Sequence, residues 1–553
     1  IACIIAAVRR GIFKPGRYAV PEKYGKDHTS EAVFVLGIIS TLMISESLFE
    51  ASELAYEFQH TGQEHFLAPL SLVWIFRGIF ASAPQNVLQG LHIFTYFVHD
   101  LTFFFFLCFL PLGKHFHVIT SVFNVFFMRV QKGKIKPVMH GVSDDKLDDL
   151  ESFGVKKLED FTWKHMLDFY SCADCGRCSD HCPANAAGRP LSPRFITIKA
   201  RDLIFKNYPL SGEIYKSNLL VEDIYTEDEI WSCTTCGACE EECPLGIEYI
   251  DKMVDLRRGM VDEGMVPQSL QKSLKALEKR GNPYGKMEKK RADWTKDKEF
   301  KASWQIKDLA KDKADTLYFV DSITSYDDDM QDIARRTSII LKKAGIDFGI
   351  LGKKEKDSGN EVLRFGEEML YQDLKDQNIE TITQSGVKQI VTADPHAYNA
   401  LKNDYANLPP VKHISQVVAQ KIGTGELDLK PCQNPEKVYV YHDPCYLGRH
   451  NGIYEDPRQA LDAIDGLTRV ELEKSRDRSF CCGGGGLMLF YEPEEETRMG
   501  VLRVNMAAEA GANVIVNACP FCLVNIQDAI KVAGKEGEME ALDFTKLIEQ
   551  HLF

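Results

Sequence analysis

Two runs of four cysteines, about sixty residues apart, constrain this chain more than any other feature. The first reads C-A-D-C-G-R-C-S-D-H-C-P, with Cys172, Cys175, Cys178, Cys182 and Pro183. The second reads C-T-T-C-G-A-C-E-E-E-C-P, with Cys233, Cys236, Cys239, Cys243 and Pro244. Both keep the spacing C-x2-C-x2-C-x3-C-P, which lets three thiolates of one tight loop take three corners of a [4Fe–4S] cube. The fourth cysteine, held off by the proline, reaches the neighbouring cube. The expected partition is Cys172, Cys175, Cys178 with Cys243, and Cys233, Cys236, Cys239 with Cys182. Structural zinc is the competing reading, but zinc ribbons use two C-x2-C pairs and have no use for the third cysteine or the proline. Two cubes side by side make a wire, and the rest of the chain is expected to supply its ends.

The 553 residues leave room for three or four units. A net charge of −14 argues against nucleic acid, which would ask for a basic stripe. Of the sixteen cysteines, fourteen lie beyond residue 170 and thirteen of those sit in metal-ligand spacings. Such thiols must stay reduced, so this part belongs in a reducing compartment.

Residues 1–130 read as a membrane part. The opening IACIIAA, followed by Arg9 and Arg10, is too short to span and is expected to be the end of a membrane helix whose predecessors are missing. Residues 31–50 and 87–112 form two apolar runs long enough to cross. LAPLSLVWIFRGIFA between them, with Arg77 in its middle, reads as interfacial or re-entrant. Basic residues follow the stub (Arg9, Arg10, Lys14, Arg17) and the last run (Lys114, Arg129, Lys132, Lys134, Lys136), so two crossings return the chain to one cytoplasmic side. Histidines within spans are costly unless they have a task. His99 and His117 are eighteen residues apart, five whole turns on one helix face and about 27 Å along the axis, which suits two b-type haems. His115 points nearly the opposite way, His92 shares the face of His99 and competes with it, and the alternative is that His115 and His117 are interfacial and ligate nothing. Glu46 and Glu53 read as headgroup-level residues, with a quinone proton path as the alternative. The stretch HDLTFFFFLCFLPLGKHFH resembles the fifth helix of the nitrate reductase gamma-subunit cytochromes, a resemblance that implies two haems held by His99 and His117.

A charged connector, 131–163, leads to the two-cluster part, 164–310. There GRPLSPRFITIKARDLI turns into a helical pattern, GIEYIDKMVDLRRGMVDEG reads as an amphipathic helix closed by Gly264, and KSLKALEKRGNPYGKMEKKRADW reads as a solvated basic face.

Beyond residue 315 the rhythm becomes β-α-β, with TLYFV, KQIVTA, VYVYHD and NVIVNA as short buried strands. The stretch also repeats itself. In 431–553, Cys445, the pair Cys481–Cys482, and Cys519 with Cys522 stand with thirty-five and thirty-six residues between them. In 315–430 the matching places hold Ser322, Asp357 and Ser358, and Asp394 with Ala397, at intervals of thirty-four and thirty-five. The frame survives and the ligands are gone. Gly483 to Gly486 let the backbone approach a bulky cofactor. His442, Arg449 and His450 flank Cys445 and either relay protons or hydrogen-bond cluster sulfurs. Cys432 reads as a packing cysteine.

The spacing around FCCGGGG resembles the cysteine-rich, CCG-containing domain of the heterodisulfide reductase and iron–sulfur oxidoreductase family. The resemblance implies a noncubane [4Fe–4S] cluster held by Cys445, Cys481, Cys482, Cys519 and Cys522. Competing readings are one ordinary cube on four of these cysteines, or a redox-active Cys481–Cys482 disulfide. The order of parts, with GRPLSP and WSCTTCGACEEECPLGIEYIDKMVDLRR, is similar to family members that pass electrons between electron-transfer flavoprotein and menaquinone.

The expected architecture is multidomain: an α-helical transmembrane bundle truncated at its N-terminus, an α-helical two-[4Fe–4S] ferredoxin domain, and an α/β duplicated CCG domain. The expectation is a multi-pass protein of the cell inner membrane with its iron–sulfur parts in the cytoplasm. Its expected cofactors are two cubes, one noncubane cluster, two b haems and menaquinone. The expected partners are electron-transfer flavoprotein, quinone, the lipid bilayer and other respiratory proteins. A disulfide reductase, or a relay component of a larger complex without a substrate site of its own, is the alternative.

Overall fold

The computed structural model describes residues 1–20, 29–137, 150, 152–209, 211–491 and 493–553. Positions 138–149 and 151 of the expected connector lie outside the described residues. The chain divides into two units, 1–126 with 166–176 and 197–215, and 127–165 with 177–196 and 216–553.

In the first unit, the helices Thr29–Thr61 and Gln85–Phe109 are long and apolar enough to cross a membrane. They run antiparallel, since Phe34 meets Phe109 (5.4 Å between ring centroids) while Phe49 stacks on His92 at 4.0 Å. Large apolar side chains such as Phe94, Phe97, Leu101 and Phe104 remain exposed on the second helix, the surface expected to face lipid rather than water. Leu72–Phe80 is the short helix between them, and its Arg77 lies 4.4 Å over the Phe58 ring. The five-turn spacing of His99 and His117 does not hold, because the helix stops at Phe109. Pro111 has no amide hydrogen to continue the ladder, Gly113 is extended, and His117 opens a separate helix, His117–Phe126.

In the second unit, two parallel sheets carry the repeat. The first has the order β1-β3-β2-β4-β5, with β1 Lys307–Asp308, β2 Thr316–Phe319, β3 Phe348–Ile350, β4 Gln389–Thr392 and β5 Val411–His413. The second has the order β7-β6-β8-β9, with β6 Val438–His442, β7 Thr468–Val470, β8 Val514–Asn517 and β9 Glu540–Asp543. The four strands legible in the sequence are the central ones, β2, β4, β6 and β8, nearly all buried and so continuously apolar. The edge strands are too short and mixed to announce themselves. The register is the same in the two sheets: Thr316 pairs with Gln389 where Tyr439 pairs with Val514. Counting on from these pairs sets Ser322 at the place of Cys445 and Asp394 at that of Cys519. The copies share one core, in which Tyr318, Phe348 and Val391 meet Tyr439, Tyr441, Val516 and Phe544.

In each sheet the chain leaves the two central strands in opposite directions, β6 toward β7 and β8 toward β9. That opens a crevice outside their carboxyl ends, where such folds bind ligands. The helix Tyr249–Asp262 is not amphipathic in its setting: it is buried on every side from Tyr249 to Met260, because its polar residues are satisfied by protein rather than water.

Candidate metal centre

The two cysteine runs fold into the same loop. In each, the residue two after the first cysteine has a left-handed backbone (Asp174 φ 56°, Thr235 φ 52°), as has the following glycine (Gly176 φ 79°, Gly237 φ 78°). The amides of Asp174 and Thr235 donate to Cys172 and Cys233 sulfurs at 3.4 and 3.3 Å. These curled backbones turn successive cysteines to one side. In the second unit, Cys182, Cys233, Cys236 and Cys239 line one cavity together with Pro183, Leu191, Tyr249 and Met253. The cysteine before Pro183 thus joins the three of the other run. Burial pushes the Cys182 thiol up to about 12 and raises Cys239 as well, so four sulfurs in a largely apolar hole suit a metal cluster that supplies the missing positive charge. Arg257, fully buried on the Tyr249–Asp262 helix, donates to the carbonyls of Ile230, Trp231 and Cys233 and so holds this loop from behind.

The second constellation lies at the crevice of the second sheet. Cys445 follows β6, and Cys519 follows β8 as the N-cap of the helix Pro520–Val532, where the Cys522 amide reaches its sulfur at 3.5 Å. Although burial opposes the charge, the Cys522 and His396 hydrogen bonds bring Cys519 down to about 7. Cys482 and Cys522 sulfurs are 3.3 Å apart, and Cys481, Cys445 and Cys236 pack in one small buried cluster with Ala238 and Tyr446. Arg449 donates Nε to the Cys236 carbonyl at 2.8 Å, while its Nη2 is buried without a hydrogen-bond partner among the described residues. A guanidinium with one buried nitrogen left over, amid Cys236, Cys445 and Cys481, fits an anionic cluster held there.

Cys236 of one donor set and Cys445 and Cys481 of the other therefore belong to one buried cluster, and the two sets adjoin. The glycine run has a reason beyond cofactor approach: a Cβ on Gly485 would stand 2.8 Å from the Thr234 carbonyl, and one on Gly486 3.2 Å from that of Cys233. The glycines allow the CCG loop to lie directly on the cysteine loop Cys233–Cys239.

His442 and His450 are buried and neutral. Burial and then Arg503, which donates to His442 Nδ1 at 3.1 Å, push His442 down to about 3, with its ring beside Cys482 and Cys522. His450 donates to the Thr235 carbonyl at 3.0 Å and stacks on Tyr446. Both serve as hydrogen-bonding groups rather than as bases near neutral pH. Cys432 lies off the site, its sulfur 4.0 Å from the Tyr439 hydroxyl.

In the first copy, Ser322, Asp357 and Ser358 line a pocket with Tyr284, Phe490 and Phe521, so oxygen donors replace the sulfurs. Asp321 and Asp394 are buried with Asp357 half-buried beside them, and desolvation raises all three carboxyls, Asp394 to about 6.

In the first unit, Lys114 is buried against Asp174 of the first cysteine loop at 2.8 Å, and Arg10 lies 3.8 Å from the same carboxylate. Three residues from Lys114, His117 Nδ1 donates to its carbonyl at 2.8 Å, which leaves the other nitrogen for a metal. His99 Nδ1 lies 3.3 Å from Ser45 Oγ and 3.4 Å from Glu46 Oε2. Either histidine fits an axial ligand of haem.

A model of the cysteine-rich domain called CCG matches residues 323–402 and 439–527, one stretch per copy, and a 4Fe-4S dicluster domain matches 171–247. A probable iron-sulfur-binding oxidoreductase, FadF, of Bacillus subtilis is 34% identical over 82% of this chain and 69% of its own length. The chain belongs to this family of CCG-domain iron–sulfur oxidoreductases. Within the family it is also similar to the EtfAB:quinone oxidoreductase of Syntrophomonas wolfei, 30% identical over 96% of this chain and 78% of that one. One component of the dihydromethanophenazine:CoB–CoM heterodisulfide reductase of Methanosarcina barkeri is 31% identical over 67% of this chain and 91% of its own length.

The sequence pointed to every cysteine above but not to Arg257, which carries no local signal.

Proposed function

We propose that the chain is a membrane-bound oxidoreductase that carries electrons from reduced electron-transfer flavoprotein to menaquinone. The five cysteines Cys445, Cys481, Cys482, Cys519 and Cys522 would hold a noncubane cluster, Cys182, Cys233, Cys236 and Cys239 one cube, Cys172, Cys175, Cys178 and Cys243 the other, and His99 and His117 two b haems. These groups supply one-electron carriers, and the protein supplies their spacing. The observation that carries the reading is that Cys236 of one ligand set packs in one buried cluster with Cys445 and Cys481 of the other, because two cluster ligand sets lying side by side suit electron transfer. A wide pocket that opens on Cys482 and Gly483, lined also by Arg189, Glu495 and Arg498, gives a donor access to the cysteine-rich site. At the membrane end, Lys114 and Arg10 on Asp174 favour the cytoplasmic placement of the cysteine runs read from the basic residues. The multi-pass arrangement in the cell inner membrane, and association with other respiratory proteins, belong to the same proposal.

Cys482→Ser tests it. Flavoprotein-driven quinone reduction is expected to fall to background, while dithionite still reduces cubes and haems. Full activity in this variant would move donor entry to the cubes. Iron analysis should find about twelve non-haem irons per chain and no zinc, since three four-iron clusters need that many. The reduced protein should show b-type bands, of which His99→Ala removes one set; unchanged spectra would transfer that role to His92. Disulfide reduction is the second reading, and the oxygen-lined pocket of the first copy speaks against it in a site needing two such clusters.

A further inference from the structure

Lys114 joins two places that the sequence sets sixty residues apart. Its Nζ donates to Asp174 Oδ2 at 2.8 Å, and both side chains are buried. Asp174 stands in the loop between Cys172 and Cys175, and its own amide donates to the Cys172 sulfur at 3.4 Å. Arg10 Nη2 lies 3.8 Å from the same carboxylate oxygen. At its other end, the Lys114 carbonyl accepts from His117 Nδ1 at 2.8 Å. Rings make a second link beside the first: Phe116 meets Tyr170 edge-on at 5.4 Å between centroids, and Tyr170 meets Phe205 at 5.6 Å. Arg201, one turn before Phe205, donates to the Cys172 carbonyl at 3.1 Å. The break after Phe109 thus has a use, because the short turn Lys114–Phe116 that follows it lies on residues 170–174.

We propose that Lys114 is a positioning residue for the step from clusters to haems: by holding the Cys172–Cys175 loop and the His117 turn in one arrangement, it makes the cube at Cys172 and Cys175 the one that passes electrons to the haem at His117. Burying a lysine against an aspartate adds little net stability, since taking both charges out of water offsets most of their attraction, and the best-attested use of such a pair is to fix one register. The register fixed here is that of two redox sites, because the same residue is bonded to the cysteine loop through its side chain and to the histidine through its backbone. Each electron that crosses oxidises the cube by one and takes one haem iron from ferric to ferrous. No bond forms or breaks in that step, and reduced flavoprotein is the reductant. The inference rests on the reading that these cysteines hold a cube and His117 a haem.

The experiment compares the full-length protein with two variants, iron and haem being measured in each. Lys114→Met keeps a side chain of similar length without the charge. Lys114→Met/Asp174→Asn leaves no carboxylate without its lysine, and asparagine accepts the left-handed backbone at 174 (φ 56°). After stopped-flow mixing with reduced flavoprotein, the clusters should be reduced at the wild-type rate in both variants, while the reduced b-type bands should appear about a hundredfold more slowly, the scale of an ångström's misplacement. Amide exchange followed by mass spectrometry should speed up together in peptides covering 113–117 and 170–174. Haem reduction at the wild-type rate in either variant that keeps its iron and haem overturns the inference. Cluster reduction slowed by the same factor overturns it too, because the defect would then lie before the junction. If both variants lose iron or haem, the pair is a structural one and the inference fails equally. Wild-type protein without b-type bands would instead refute the haem assignment, and the inference would fall with that earlier reading.

Discussion

The two copies of the α/β repeat have the same strand order and register around their central strands, yet one brings five sulfurs to its crevice and the other brings Ser322, Asp357, Ser358 and Asp394. Their difference separates what the fold needs from what the cluster needs. Gly359 and Gly483 are both retained with a left-handed backbone (φ 72° and 101°), since the turn itself requires it. The glycines after them persist only in the second copy, where the loop lies on the cysteine loop Cys233–Cys239; in the first they are Asn360, Glu361 and Val362. Ligands and close approach are lost together, which fits a frame kept for its core and for what it presents to its twin.

Changes at matched positions should break this symmetry most. Cys519→Ser should remove about four of about twelve irons and abolish quinone reduction, whereas Asp394→Asn, at the same place in the other copy, should leave both near wild type. Loss of iron in Asp394→Asn would show that the first copy still takes part in cluster binding.

A smaller effect is expected at the contact between loops. Gly485→Val inserts a Cβ 2.8 Å from the Thr234 carbonyl, so the loops must part. Stopped-flow reduction of the cubes by flavoprotein should slow about a hundredfold, the scale of an ångström's misplacement, with iron content retained. The native first copy tolerates Glu361 there, and an unimpaired Gly485→Val would mean that the loop contact is incidental.

The smallest contrast concerns pH. His413 and Asp543 are matched helix N-caps, accepting from the Ser415 and Thr545 amides. Burial pushes His413 down to about 4 and Asp543 up to about 6. His413 binds a proton more readily unfolded, so its contribution is present above about pH 6.5 and is lost as pH falls toward 4. Asp543 holds its proton more tightly folded, so its contribution is present below about pH 4 and is lost as pH rises through 6. Each amounts to about 3 kcal/mol. Melting curves against pH should lose their acid limb in His413→Asn and flatten between about pH 4 and 6 in Asp543→Asn; parallel curves would dismiss the contrast.

What the sequence by itself determined is what lies close along the chain or recurs in it. Ligand spacing is local chemistry, so the cysteine runs, the CCG pair and the vestigial positions were all legible, as were the central strands and the two apolar helices. The break between Phe109 and His117 was also written there, in Pro111 and Gly113, but an apolar count passes over it. Tertiary structure alone decided which remote residues meet. That Cys236 packs in one buried cluster with Cys481, that Gly485 clears Thr234, that Arg257 grips the carbonyls behind Cys233, and that His396 of one copy stacks on Phe521 of the other all depend on how packed β-α units close on one another. Such contacts join residues from about 25 to about 250 positions apart, and neither a ligand spacing nor a hydrophobic period encodes distances of that kind.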